Sequence, residues 1–357
     1  MPALPLRHRL PDNVDSNRLV SQAEVIIERL QQAPMKVPLL VYSMLLAMGL
    51  AGSVAGAGTD RYPFKPIRIV VPFTPGGSND LLGRVLAQKL HETWGQPAII
   101  DNRPGGGSTI GIETVVRAAP DGYTLLLTSG GIASNVSLYK LSFNPVKDLA
   151  PVALLAQMPY LLAVHPSVPA QSTLELIHLA KAQPGKLTIA SSGVGTSSHL
   201  TGEMFRLQAK IDMLHIAFKG GGPAVNAVIG GEVQVIFNVI TGTLPYARTG
   251  RLRALGVSTS KRVEVAPDLP TISESGLPGF EVVAWYNLFA PARTPRPVVN
   301  KINTEINRVL QQPDVRKRLL TLGVVPLSGT PEALGDYLKF EIARWAKLIK
   351  EARIKNE

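Results

Sequence analysis

The residues best suited to ligand chemistry form a short loop, Pro75-Gly-Gly-Ser78, which follows an apolar strand-like run beginning at Arg68. The loop glycines would let backbone N–H groups approach a ligand closely. If a helix begins at residues 78–80, its unpaired N–H groups and about half a positive charge favour a carboxylate or a phosphate. Asp80 could contact that ligand, but its position favours a helix-capping role. The segment alone fits an ordinary strand-to-helix connection equally well.

A second loop of the same kind spans Ser191–His199, between the apolar run Leu187–Ala190 and a helical pattern. His199 could contact a ligand or simply pack within the loop. Lys219, which precedes a run of three glycines, could place its ammonium group near an anion or lie in solvent. Two such loops could hold opposite ends of a small anion through amides, hydroxyls and water, without a nucleophile or a metal.

Motifs for other chemistry are missing from the sequence. There is no G-x-S-x-G nucleophile elbow, no G-x-x-x-x-G-K-[ST] phosphate loop and no H-E-x-x-H zinc helix. The six histidines lack metal-ligand spacing, and the absence of cysteine excludes disulfides, thiolate metal sites and cysteine nucleophiles. Gly105–Gly107 resembles a phosphate cradle only loosely. We therefore expect no cofactor, no metal and no catalytic residue.

The chain is basic, with 37 Lys and Arg against 26 Asp and Glu and a net charge of +11. Such an excess suggests a nucleic-acid partner, because Lys and Arg neutralise phosphates. The basic residues are scattered, however, and their looser concentrations at Arg248–Arg262 and Arg316–Arg318 lack interleaved aromatic residues. We interpret them as a solvated surface and expect no nucleic acid to bind.

The elements that must position the two loops follow an α/β pattern. The length of 357 residues suggests two domains, and a hydrophobic content of 45% makes disorder improbable. Strand-like runs alternate with helical patterns, including strand candidates at Val152–Ala156 and Tyr160–Val164. This alternation predicts a mostly parallel sheet flanked by helices. The last section is helical, and Thr330-Pro-Glu332 is a start signal for its final helix.

The N-terminal region contains the layout of a secretory signal peptide at Met35–Ala57: a basic start, an apolar run and small residues at the end. We expect cleavage near Ala57; a retained membrane anchor is the alternative. Because a signal peptide normally begins a chain, we expect translation to begin at Met35 and residues 1–34 to be an N-terminal over-extension.

Together these motifs resemble the solute receptors of tripartite tricarboxylate transporters, often called Bug receptors. The resemblance runs from Tyr62 to Glu357 and rests on motifs that occur in order. They include Val71-Pro-Phe-x-Pro-Gly-Gly77 with Asp80, Asp101-Asn-Arg-Pro-Gly105, Pro120-Asp-Gly-Tyr123, and Gly193-x-Gly-Thr196 with His199.

The resemblance implies a periplasmic two-lobed binding protein, the Venus-flytrap fold, with two crossover segments near Leu161–Val164 and Trp285–Ala290. Residues 62–162 and 289–357 would form lobe 1, and residues 163–288 would form lobe 2. The protein would be a monomeric receptor without enzymatic activity that presents a small organic carboxylate to a membrane permease or a sensor. An enzyme acting on a small carboxylate in the same cleft is the alternative.

The same resemblance implies ligand contacts from both lobes. The expected residues are Phe73, Pro75, Gly76, Gly77, Ser78, Asp80, Thr128 and Ser129 in the first lobe, and Ser192, Gly195, Thr196, Ser197, His199, Phe218, Lys219, Gly220 and Asn238 in the second.

Two positions depart from the family pattern. Asn238 stands where the pattern usually has Asp, a residue that can receive a ligand's ammonium group. We therefore predict a ligand without an amino group, such as a di- or tricarboxylate, a hydroxy acid or an aromatic acid. Tyr286-Asn287 replaces an aromatic-Gly pair, a change that could reshape either the pocket or the hinge.

Overall fold

The computed structural model describes residues 61–354 of the chain. The expected N-terminal extension and signal peptide, residues 1–57, lie outside the described residues. Within residues 61–354, no helix is both long enough and apolar enough to cross a membrane.

The described chain forms one mixed ten-stranded sheet with helices packed against it. The strands are β1 (Ile67–Val71), β2 (Ala98–Asn102), β3 (Thr124–Ser129), β4 (Leu149–Val164), β5 (Thr188–Ser191), β6 (Leu214–Ala217), β7 (Val235–Val239), β8 (Arg253–Val257), β9 (Val283–Pro291) and β10 (Val325–Pro326). The helices are α1 (Ser78–Trp94), α2 (Thr109–Val116), α3 (Gly131–Leu138), α4 (Thr173–Ala182), α5 (Ser197–Ala209), α6 (Gly221–Ile229), α7 (Ile240–Arg248), α8 (Arg296–Leu310), α9 (Pro313–Thr321) and α10 (Pro331–Glu351).

Strand β4 joins two halves of the sheet. The strand order is β2-β1-β3-β9-β4-β7-β5-β6, and β8 and β10 each pair with β4. Residues Leu149–Pro159 of β4 pair with β9, whereas residues Tyr160–Val164 pair with β7 and β8. One half of the sheet therefore contains β1, β2, β3, β9 and β10, and the other contains β5, β6, β7 and β8.

The sheet is mixed rather than mostly parallel, which corrects the expectation from the sequence. Four of the described strand pairings are parallel, and five are antiparallel. All five antiparallel pairings involve β4 or β9. The parallel pairings lie at the outer parts of both halves, where each strand is followed by a helix, as βαβ units require.

Two separate strand candidates, Val152–Ala156 and Tyr160–Val164, are parts of the single 16-residue strand β4. The residues between them include Pro159, which suggests a break because proline cannot donate to a strand ladder. In the structure, the partner of β4 changes from β9 to β7 and β8 at this point. Pro159, which has no N–H group to donate, therefore lies where one set of strand hydrogen bonds ends and the next begins.

A continuous apolar core underlies both halves of the sheet. Helix α1 buries Leu82, Leu86 and Leu90, and α8 buries Val299 and Ile302 together with Ile306 and Val309 at helical spacing. The C-terminal helices α8 and α10 both pack against β4. The start of α10 is confirmed, because the hydroxyl of Thr330 accepts a hydrogen bond from the N–H of Ala333 at 3.2 Å.

Candidate functional site

A cavity of about 1000 Å³ is lined by residues from both halves of the sheet. Met158 and Tyr160 of β4, with Ala284 and Tyr286 of β9, contribute the two central strands to its lining. The segments after β1, β2 and β5 and the helix starts after β3, β6 and β7 contribute many of the other lining residues. Clefts at the carboxyl ends of strands are where open α/β sheets bind ligands, and this volume suits a small molecule.

Six helices begin at the cavity. The residues that immediately precede α1, α2, α3, α5, α6 and α7 all line it, and they are Gly77, Ser108, Gly130, Thr196, Gly220 and Val239. The first N–H groups of a helix have no partner within the helix, and each N-terminus carries about half a positive charge. The combined field of these helix starts favours an anion in the cavity.

Asp80 stabilises the first loop from behind. Its Oδ2 accepts hydrogen bonds from the N–H of Gly76 at 3.0 Å and from Nε of Arg84 at 2.9 Å, and its Oδ1 accepts one from Nδ2 of Asn102 at 3.1 Å. Burial alone would raise the pKa of Asp80, but the hydrogen bonds from Arg84, Gly76 and Asn102 outweigh burial and lower it. Asp80 is 2% exposed and does not line the cavity, so its carboxylate positions the loop.

Thr196 and His199 fix the second loop. The hydroxyl of Thr196 caps α5 and donates to the carbonyl of Gly193 at 2.7 Å. The N–H of Gly195 donates to Nδ1 of His199 at 3.0 Å, so that ring nitrogen must be unprotonated. Gly195 has a φ of +73°, and a Cβ there would lie 2.3 Å from Cδ1 of Leu138 on α3. Glycine is therefore required where the second loop meets the first half.

A stacked pair of histidines, the buried His199 and the half-buried His215, lies behind this loop. The rings of His199 and His215 stack with their centroids 3.8 Å apart, and Nε2 of His199 lies 3.7 Å from Oε1 of Glu203. Burial and the neighbouring His199 lower the pKa of His215 to about 4, so His215 is neutral at pH 7. Nε2 of His215 lies 2.6 Å from Oγ of Ser191, but Ser191 is 1% exposed and neither residue lines the cavity. The pair therefore supports the loop and is not open to a ligand.

Two tyrosines connect the central strands to the helix starts. The phenol of Tyr160 interacts with Ser197, the first residue of α5. The phenol of Tyr286 donates a hydrogen bond to Sδ of Met158 at 3.9 Å and also interacts with Ser78, the first residue of α1. Burial raises the pKa of Tyr160 and raises that of Tyr286 to about 12, so both phenols stay neutral. Tyr286 thus belongs to the pocket, whereas Asn287 is fully buried and outside its lining.

Asn238 lies against the start of α6. Its side chain is 7% exposed, and its Nδ2 donates to Oγ1 of Thr243 at 3.2 Å. A Cβ on Gly221 would lie 2.7 Å from Oδ1 of Asn238, which places that oxygen beside the first residue of the helix. Of the side chains that line the cavity, only the exposed Arg318 is charged. The described lining therefore contains no carboxylate that could pair with an ammonium group.

Most of the residues expected to contact ligand lie together. Eleven of the 17 line the cavity: Phe73, Gly76, Gly77, Ser78, Ser129, Ser192, Gly195, Thr196, Ser197, Gly220 and Asn238.

Six expected residues lie outside the lining for identifiable reasons. Asp80 and His199 are buried and support the loops, as described above. Pro75 and Lys219 are exposed, and Phe218 packs against the small apolar cluster of α6 and β7. Thr128 is fully buried, because successive side chains of a strand point to opposite faces and Ser129 takes the cavity side.

Sequence reasoning missed Tyr160 and Arg318, and it named Tyr286 only within a departure that could reshape either the pocket or the hinge. Both tyrosines occur in apolar strand runs, where an aromatic residue fits a core position equally well. Arg318 occurs in a basic run that fits a solvated surface. Pairing across the sheet brings the tyrosines to the cavity, and the return of the C-terminal helices brings Arg318 there. Neither feature of the fold leaves a signal in the neighbouring sequence.

The described residues contain no group of three or more His, Asp or Glu side chains that could hold a metal ion.

Fold and cavity together define a two-lobed α/β solute-binding protein. The model for the tripartite tricarboxylate transporter family receptor matches residues 82–354. BugT of Bordetella pertussis is 36% identical over 308 residues, which cover 85% of this chain and 94% of BugT. The chain belongs to this receptor family.

Two solved structures with bound acids are similar to the chain. A protein from R. palustris with adipate has a TM-score of 0.77 and 33% identity, with 82% of this chain and 99% of that chain covered. MatC from Rhodopseudomonas palustris with bound malate has a TM-score of 0.72 and 36% identity, with 81% and 100% covered.

Proposed function

We propose that the protein is a periplasmic receptor for a small organic carboxylate without an amino group, which it presents to a permease of the tripartite tricarboxylate type. The observation that carries this proposal is the composition of the cavity. Starts of six helices and several hydroxyl groups meet there, and the described lining contains no acidic side chain. Such a site stabilises a carboxylate through preorganised N–H and O–H donors.

The two bound neighbours support the choice of ligand. Adipate and malate are carboxylates that lack an amino group, and they occupy relatives with the same fold. Gly76, Gly77 and Ser78 would bind one carboxylate, largely through backbone N–H groups and water. Thr196, Ser197 and their neighbours Gly220 and Asn238 would contact the ligand from the second lobe.

An amino group would be disfavoured because it would enter the cavity without a counter-charge. The acid behind the first loop, Asp80, is already engaged by Gly76, Arg84 and Asn102. Asn238 is neutral. Moving an ammonium group from water into a site without a compensating charge is unfavourable.

The boundary between the two lobes would follow the change of strand partner along β4. We propose lobe 1 as residues 62–162 and 289–357 and lobe 2 as residues 163–288; the change of partner along β4 at Pro159–Tyr160 supports the first boundary. Export would use the signal peptide at residues 35–57. N-terminal sequencing of the exported protein should then begin near Gly58, and recovery of residues 1–34 in the mature chain would contradict this.

A thermal-shift screen of the ligand-free protein tests the function. The panel should pair each acid with its amino counterpart, such as succinate with aspartate and glutarate with glutamate. A ligand present at about 100 times its dissociation constant stabilises the folded state by roughly 2.7 kcal/mol, which gives a measurable rise in Tm. We expect the deaminated member of a pair to give the larger shift. Absence of any shift across mono-, di- and tricarboxylates would overturn the proposal, and so would chemical turnover of a bound acid.

A further inference from the structure

The geometry points to a second anion subsite at Arg318, which makes this receptor selective for dicarboxylates whose two carboxylates are separated by a long apolar spacer. The inference rests on the proposed function, because the first carboxylate must bind at the helix starts. It goes further by assigning a residue and a ligand shape to the other end of the cavity.

Arg318 is distinctive among the residues that line the cavity. It is the charged side chain in that lining, and it lies on α9, away from the two Gly/Ser loops. Its neighbours Arg316 and Lys317 are also exposed, but neither lines the cavity. Within residues 61–354, the guanidinium of Arg318 has no intramolecular ion pair or hydrogen bond, so all of its donors are free for a ligand.

An apolar surface accompanies Arg318 in the lining. We call it the apolar arm: Leu81, Leu82, Val85, Leu319, Leu322 and Val324. Leu81 is 49% exposed and Leu322 is 42% exposed, so these two supply most of the open apolar surface, whereas Leu82, Val85, Leu319 and Val324 are 3%, 7%, 2% and 6% exposed. Alkyl groups of a bound molecule would cover this surface, and each buried methylene contributes about 0.8 kcal/mol.

The segment that contains Leu319, Leu322 and Val324 of the arm contacts both halves of the sheet. Strand β10 pairs with β4 through Val325 and Pro326, which fixes the chain just after Val324. A Cβ on Gly323 would lie 2.7 Å from Cγ2 of Ile240, at the start of α7. Arg318 and Leu319 therefore reach the cavity from a supported element of the first half that also contacts the second.

This arrangement favours one ligand shape. The helix starts satisfy one carboxylate, the arm accommodates an alkyl chain, and Arg318 can pair with a second carboxylate. A short dicarboxylate would bind at the helix starts without reaching across the arm. A monocarboxylate of similar length would cover the arm but leave Arg318 solvated. Both should bind more weakly than the long dicarboxylate.

Calorimetric titration of the whole mature protein with succinate, suberate and octanoate tests the inference. We expect the wild type to bind suberate most tightly. R318Q should weaken suberate binding roughly fivefold, which corresponds to about 1 kcal/mol for an exposed ion pair, and should leave octanoate binding unchanged. R316Q is the matched control, because it removes the same charge from the same helix outside the lining. Added salt should reduce the preference for suberate over octanoate.

The outcomes separate this inference from the proposed function. Tighter binding of succinate than of suberate would refute the spacer selectivity while leaving the carboxylate receptor intact. Equal losses of suberate and octanoate affinity in R318Q would show that Arg318 does not bind the second carboxylate. Equal effects of R318Q and R316Q on suberate affinity would show the same. Absence of binding by all three acids and by malate would overturn both proposals.

Discussion

Replacing Asn238 by Asp should change which ligands the cavity accepts. Asn238 is almost buried in the lining, and its Oδ1 lies beside the start of α6. A carboxylate can occupy the same space, since that helix start also stabilises an anion. The hydroxyl of Thr243, which now accepts from Nδ2 of Asn238, can rotate and donate to the new carboxylate instead. The N238D variant should therefore fold normally.

The magnitude follows from the charge that N238D introduces. Two like charges about 8 Å apart repel by about 2 kcal/mol at an effective dielectric constant of about 20. That repulsion corresponds to roughly a 30-fold loss of affinity for succinate or glutarate. An ammonium group at a similar distance would gain about as much. Because the carboxylate repulsion acts on succinate and aspartate alike, the preference between them should shift by this ammonium contribution, roughly 30-fold.

Isothermal titration of the wild type and N238D with succinate, aspartate, glutarate and glutamate measures this shift. N226D is the matched control, because Asn226 also lines the cavity but is exposed. Water around an exposed charge reduces the same repulsion to about 0.5 kcal/mol, or roughly twofold. Tighter binding of aspartate than of succinate by the wild type would refute the reasoning. An equal shift in N238D and N226D would show that burial of Asn238 has no role.

Three further changes test the support behind the cavity. Gly130→Ala should lower the free energy of unfolding by about 1–3 kcal/mol, because its Cβ would lie 2.4 Å from Nε1 of Trp285; Gly131→Ala has nothing within 4 Å and should cost nothing in denaturant titration. The pKa of His215 is lowered from 6.5 to about 4, so the unfolded chain takes up that proton more readily and stability is lost as pH falls through this range. His215→Gln should reduce this acid sensitivity by about 1–3 kcal/mol between neutral pH and pH of about 4, and unchanged sensitivity would contradict the assignment. Asp80→Asn removes one acceptor and the charge that hold the first loop, so urea denaturation at pH 7 should show a loss of about 1–3 kcal/mol together with weaker carboxylate binding.

The sequence predicted the loops well because their signals are local. Glycine and proline end a strand run, and a helical pattern follows within a few residues. In both loops the expected helix begins within the predicted segment, α1 at Ser78 and α5 at Ser197. Residues of these loops form much of the cavity lining. The family motifs then indicated that the two loops face one another.

Features that depend on pairing across the sheet were less predictable. Thr128 and Ser129 are neighbouring hydroxyl residues at the end of one strand, so the sequence offers both equally as ligand contacts. The pleat of β3 directs only Ser129 to the cavity. The change of partner along β4 made one strand resemble two. Arg318 reaches the cavity only because the C-terminal segment returns to pair with β4, a contact with no local signature.

Under the proposed function, selectivity should depend on few side chains, because the helix starts would bind any carboxylate alike. Their N–H groups would contact the carboxylate itself and would be insensitive to the remainder of the molecule. Discrimination then falls to Asn238, which is 7% exposed, and to Arg318, which is exposed. An interaction in the interior is less weakened by water, so a charge change at Asn238 should alter affinity more than one at Arg318, about 30-fold against about fivefold. If a charge change at Arg318 altered affinity more than one at Asn238, the ligand would lie nearer the exposed Arg318 than a carboxylate at the helix starts would. The assignment of the first carboxylate to Gly76 and Gly77 would then have to be revised.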